Sequence, residues 1–348
     1  MTLSLYLSKV IGLRVLAAGL VFLILGISID LIQSATDLLA EAGPTAILGY
    51  AALRTPQIAA TLFPVAVLVG GTVAFLTLGH RSELVIVRAA GRSIFAILRM
   101  LAPCALVLGL IYHLMGDQLS AWAEQRLSET FPKTTEAPEA GASVWSRQSG
   151  QVMRAELATS DGTALRVFTL WELDAQGHVT GRRDAERAEF DDGVWVLRDV
   201  TRHQGDQRVQ ELESSIWHTA LTPSAMRALA AGRLSVSTAN ARAALAGLAV
   251  QTRGEAYYAS RIARSYAALV IPGVMLVLAA LAGFGLARSG GGLRMAITGV
   301  VLGFLYIAMD GVLGALSEVG MINAVIAATV PTALFAALGI WGLLVLEE

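Results

Sequence analysis

Apolar residues in this chain fall in long unbroken blocks, an arrangement that rules out most ways a polypeptide can fold. A helix rises about 1.5 Å per residue, so crossing ~30 Å of hydrocarbon takes about 20 apolar residues. Six stretches meet that requirement: 15–32, 58–78, 94–115, 267–286, 295–316 and 324–346. Only 15% of the residues are charged, against about 25% in an average soluble chain. Pro64, Pro103, Pro272 and Pro331 lie within or beside these blocks, where membrane helices tolerate proline.

Loop charge sets the orientation. Residues 80–99 carry Arg81, Arg88, Arg92 and Arg99, and 287–294 adds Arg288 and Arg294. The segment 30–57 holds Asp30, Asp37 and Glu41 against Arg54, and the loop after the fifth block holds only Glu318. Basic loops remain in the cytoplasm. Both termini are therefore expected there, with 117–258 on the far side. Lys9 and Arg14 precede the first block as in a secretion signal, but the block is long and lacks a convincing cleavage pattern, so it reads as a retained anchor.

The segment 117–258 has another texture. Residues 151–157, 164–173 and 193–200 alternate apolar with polar side chains, separated by turn formers at 160–162, 175–177 and 191–193. Short strands at this spacing predict an all-β sandwich or partial barrel. Leu221-Thr222-Pro223 ends it, and 224–253, rich in Ala, Leu and Arg, predicts short helices.

Several chemistries are excluded. The single cysteine, Cys104, permits no internal disulfide or cysteine-rich metal site. Neither lysine, Lys9 or Lys133, follows a glycine, so no phosphate-binding Gly-Lys loop exists. The five histidines lack metal-ligand spacing, and no G-x-S-x-G elbow occurs. Gly290-Gly291-Gly292 reads as a cytoplasmic turn. A net charge of −1 gives no sign of nucleic-acid binding.

Three features remain. Residues 80–93 read H-R-S-E-L-V-I-V-R-A-A-G-R-S, too long for a bare turn. On a helix, Leu84, Val87 and Arg88 share a face beside Glu83, with Gly91 as the stop. This is either a solvated basic loop that enforces topology or a grip for an ATP-hydrolysing partner. Gly299-x-x-x-Gly303 in the fifth block permits close helix approach. Asp310, one turn past Tyr306, is a carboxylate within the membrane that either finds a basic partner, lines a polar cavity or lies at the interface.

Residues 82–91, S-E-L-V-I-V-R-A-A-G, resemble a motif of the lipopolysaccharide export permeases, the LptF/LptG family. The resemblance continues through Thr55-Pro56, Leu62-Phe63-Pro64, Leu221-Thr222-Pro223, Leu234-Ser235-Val236-Ser237 and Gly303-Phe304-x-Tyr306-x-x-x-Asp310, and so covers essentially the whole chain. Arg81-Ser82-Glu83-Leu84 is closer to the LptG branch. The resemblance implies an α-helical polytopic membrane protein of six transmembrane helices, three plus three, with an inserted periplasmic β-jellyroll. Residues 1–116 would hold helices one to three with a coupling helix at about 80–92. Residues 117–258 would be periplasmic, with the jellyroll at about 140–220, and 259–348 would hold helices four to six.

By the same resemblance the chain is a permease subunit of an ABC transporter in the Gram-negative inner membrane. It would pair with an LptF-like subunit, two LptB-like ATPases and a single-helix, β-jellyroll LptC-like protein. It would bind no cofactor; the partner would use ATP and magnesium. Lipopolysaccharide would leave a central cavity for a periplasmic bridge of β domains. Arg81, Glu83, Leu84, Val87 and Arg88 would couple to the ATPase. Phe22, Leu62, Phe63, Gly299, Gly303, Phe304 and Asp310 are candidates for the cavity or the subunit seam, each also open to ordinary packing. Arg54, Arg261 and Arg264 are candidates for the phosphorylated head group, since guanidinium suits phosphate, or for plain interfacial anchoring. Ser34 and Gln57 stand where related subunits often carry lysine. Val167, Phe168, Trp171 and Trp195 are expected in an acyl-chain groove of the β domain, although a closed core would show the same alternation. Two other readings stay open: a permease for a different lipid, and a membrane-tethered scaffold or sensor.

Overall fold

The computed structural model describes residues 2–43, 46–131, 141–148, 150–174, 176, 178–204, 207–219, 221–230, 236–246, 251, 253–286 and 292–347. Ala175, Gly177, Lys133, Leu234, Ser235, Arg288, Gly290 and Gly291 lie outside the described residues, as do the side chains of Asp37, Glu41 and Arg294. The chain divides into a helical unit, 1–33, 54–123 and 259–348, and a second unit, 34–53 and 124–258.

Helix α1 runs Thr2–Ala42 and α2 Ala46–His80; a seven-residue α3, Glu83–Ala89, leads to α4, Ile94–Leu114. A π-helical turn, Met115–Leu119, passes α4 into α5, Ser120–Thr130. After the sheet come α6, Pro223–Ala230, and α7, Thr238–Leu245. Then follow α8, Glu255–Ala267, α9, Ile271–Leu286, α10, Gly292–Glu318, and α11, Ala324–Glu347. Among the described residues, five helices are long and apolar enough to cross a membrane.

The fourth span departs from the continuous run 267–286 expected from hydropathy. Counted as one crossing, which brings the total to six, α8 and α9 form a pair bent by 52°. Pro272 explains the break, because it lacks an amide hydrogen and its ring crowds the carbonyl one turn back. The chain crosses the gap with short turns, Val270 N–H to the Ala267 carbonyl and Gly273 N–H to that of Val270, both 2.9 Å. A Cβ at Gly109 of α4 would overlap the Leu269 carbonyl, so α4 meets the break only because residue 109 has no side chain. The interior gathers around α9, whose Met275, Leu278 and Ala279 are wholly buried with Leu68 and Phe75 of α2 and Phe335 of α11.

In the second unit six strands form one antiparallel sheet in chain order: β1 Ser143–Gln148, β2 Gln151–Leu157, β3 Ala164–Leu173, β4 Val179–Asp191, β5 Val194–Gln204 and β6 Gln207–Trp217. One face carries Met153, Leu157, Leu165, Phe168, Leu170, Trp195 and Leu197, all within 1% of full burial. Leu221, just before α6, and Met226 within it close over them. The Trp195 indole N–H donates to the Leu221 carbonyl at 2.7 Å, so the Leu-Thr-Pro segment is fixed to the core by its backbone.

Candidate functional site

The loop expected to couple is built around α3. Ser82 enters in the left-handed region, φ 60°, and Gly91 leaves at φ 78°. Between these turns Leu84 drops into the helical core at 3% exposure and Val87 packs partly against it. Arg88 is half-buried on the same side, while Arg81 is exposed. The Glu83 carboxylate accepts a 2.8 Å hydrogen bond from the Tyr6 hydroxyl, tying α3 to the start of α1. Glu347, at the end of α11, accepts from the Ile94 amide at 3.2 Å, beside the exit from α3.

Local sequence does not single out Val85 and Ile86. They are 58% and 66% exposed, on the side of α3 opposite Leu84. Apolar residues so exposed on a short helix between charged turns offer a surface for another protein. The run Leu84-Val85-Ile86-Val87 contained the signal, but four consecutive apolar residues do not say which two turn outward.

At the far ends of α1 and α2, Arg54 is held by Asp30, with contacts of 3.1 and 3.2 Å from Nε, and donates to Gln57 at 2.7 Å. Ser34 bonds the Tyr50 hydroxyl at 2.9 Å. Both positions that depart from lysine thus serve local contacts. Arg261 donates to the Gly116 carbonyl at 2.6 Å. Arg264 pairs with Asp310 at 2.9 Å and approaches Glu318 at 3.9 Å. The three head-group candidates therefore already hold partners within the chain, and Asp310 has found its basic partner. Gly314 leaves room for the Arg264 guanidinium, against which a Cβ there would lie. Beside this pair His113 Nδ1 lies 2.9 Å from the Ser265 carbonyl.

Of the cavity or seam candidates, Gly299 and Gly303 lie against neighbouring helices of this chain. A Cβ on Gly299 would meet Leu278 and Ala282 of α9, and one on Gly303 would overlap Leu68 of α2. The G-x-x-x-G pattern serves packing within the chain. Phe304, one residue on, is 50% exposed. Phe22 is half-buried, and Leu62 and Phe63 line a groove with α1 and α4, Phe63 stacking on Tyr112 at 5.3 Å. Tyr306 turns toward α11, edge-on to Phe335.

The four residues expected in one β-domain groove separate. Phe168 and Trp195 belong to the closed core. Trp171 lies on the opposite face, stacked on Trp145 at 5.8 Å. Val167 sits at φ 50° and is 52% exposed. The irregularity at Val167 shifts the alternation, which a strict period of two does not anticipate.

A family model described as lipopolysaccharide export system permease LptF/LptG matches residues 5–345. The chain is 28% identical over 303 residues to lipopolysaccharide export system permease protein LptG of Haemophilus influenzae, covering 85% of this chain and 84% of that one. It is 26% identical over 310 residues to the protein of the same name from Escherichia coli K12, covering 84% and 83%.

Proposed function

The chain belongs to the lipopolysaccharide export system permease LptF/LptG family, and from that premise we propose that it is the LptG-type permease subunit of an ABC transporter that extracts lipopolysaccharide from the inner membrane. An LptF-like subunit completes the membrane pore, and two LptB-like subunits hydrolyse ATP with magnesium, none of it bound by this chain. An LptC-like protein continues the periplasmic route that begins at the six-stranded sheet. Both termini and α3 face the cytoplasm. The observation that supports this reading best is α3 itself: Leu84 anchors it in the helical core while Val85 and Ile86 present an apolar face outward.

In this reading the ATPase takes Val85 and Ile86 into a pocket. Glu83 and Arg81 flank the contact, and Tyr6 relays its movement to α1 through the 2.8 Å bond to Glu83. Replacing Val85 and Ile86 with serine removes a small central anchor, worth ~2 kcal/mol at an interface. Co-purification of a soluble ATPase should fall about thirtyfold while Leu84 keeps the helix in place. Retention of the ATPase at wild-type levels would sink the assignment. Cysteine placed at Ser82 should react only with a reagent admitted to the cytoplasmic side; modification from the periplasm would invert the topology.

A further inference from the structure

A groove of about 1140 Å³ lies between α1, α2 and α4. Its polar side chains, Ser4, Ser8, Lys9 and the Cys104 thiol, sit toward one end, and beyond them the lining is Gly, Ala, Val, Leu, Ile, Phe, Pro and Met. Lys9 is the one charged residue in that lining, is exposed, and forms no ion pair among the described residues. Leu16, Leu20 and Val107 line the groove and are more than half exposed, so it opens sideways into the bilayer.

We propose that this groove binds an anionic phospholipid, its phosphate on Lys9 and its acyl chains along α1 and α4. Distance fits a single leaflet. Leu20 lies eleven residues beyond Lys9, roughly 16 Å along a helix, which is half of a ~30 Å hydrocarbon core. Asp30 lies roughly 32 Å beyond Lys9 along α1, and Arg54 of α2 pairs with it there, so Lys9 and Arg54 stand at opposite leaflets. The lipid on Lys9 is therefore not the cargo expected at the Arg54 end. A purely apolar partner helix laid in the groove would leave Lys9 at the hydrocarbon boundary with no anion. A phospholipid supplies both the anion and a chain that follows the uneven wall.

The test uses the native assembly reconstituted in phosphatidylcholine vesicles containing phosphatidylglycerol, with a photoactivatable acyl chain on one lipid or the other. Phosphatidylglycerol adducts should concentrate on Leu16, Cys104, Val107 and Ile111. Lys9→Gln should lower them about fivefold, the equivalent of the ~1 kcal/mol a lysine gains at an anionic surface; Lys9→Arg should retain them. Gly12→Leu should abolish them, since a Cβ there meets nothing within 4 Å and the longer side chain occupies the groove without disturbing the fold. Equal labelling by phosphatidylcholine, insensitivity to Lys9→Gln, or cross-links running instead to another polypeptide would overturn the proposal.

Discussion

In the sheet-bearing unit large apolar side chains turn inward, with Phe168, Trp195 and Leu197 at 1% exposure or less. In the helical unit Leu16, Leu20, Val107 and Ile326 stand more than half exposed on helices of membrane-spanning length. Polar groups behave in the reverse way. Around the sheet, Arg198–Glu189 and Arg182–Asp184 are solvated pairs that contribute little. In the spans, Arg54 and Arg264 are each met by a carboxylate whose side chain is 16% exposed or less. An exposed apolar residue therefore points to a protein partner on the sheet or on α3 but to lipid in a span, where a charged residue is the one that needs a partner.

The largest consequence concerns the sheet. Phe168→Ala empties a wholly buried site and should destabilise that unit by ~3–5 kcal/mol. Val167→Ala, one residue away but outward, should change stability by less than ~0.5 kcal/mol. Protease resistance of 141–219 in intact vesicles reads both. Equal losses would mean that Val167 is buried in the working protein and that the inward-outward contrast breaks at that point.

In the helical unit the corresponding test removes charge. Arg264→Ala leaves the largely buried Asp310 carboxylate without its ion-pair partner. A fully buried pair loses ~3–5 kcal/mol on such a change. With the Arg264 side chain 37% exposed, screening by water reduces the expected loss to ~1–2 kcal/mol. Arg264→Met with Asp310→Leu should recover most of it, because two apolar side chains replace the pair. Thermal melts of the purified assembly measure the cycle; a double variant as weak as the single one would assign the loss to packing instead of charge.

The contrast also explains what was legible in the amino-acid order. Blocks of about 20 apolar residues marked the spans because a bilayer demands length, and only the Pro272 break escaped, since hydropathy is blind to a missing amide hydrogen. Strands β2 and β3 showed through because Met153, Ala155 and Leu157, and past Val167 the pair Phe168 and Leu170, alternate with polar residues. Strand β4 did not: its buried residues Ala185 and Ala188 are small and three positions apart among arginines and carboxylates, and Phe190 alone adds a large side chain against the core. Edge strand β6 carries a largely exposed polar run. For the candidate site, residue types were readable and partners were not. Arg264 and Asp310 are 46 residues apart, and no local pattern links them.

The smallest effect tests the solvated side of the contrast. Asp161, in the turn between β2 and β3, is exposed. Hydrogen bonds from the side chain of Thr159 and from the amide and hydroxyl of Thr163 nevertheless hold its carboxyl at about 2, below its ordinary 3.8. Because the folded value is depressed, the contribution is complete above about 3.8 and disappears as pH falls toward about 2. Exchange protection of the Thr163 amide, which donates to Asp161 at 3.0 Å, should weaken across that window and stay level in Asp161→Asn. Solvent screening keeps the change below the two preceding ones. A pH response as steep in the asparagine variant would place the titrating group elsewhere and leave this turn with no share in the acid sensitivity of the sheet.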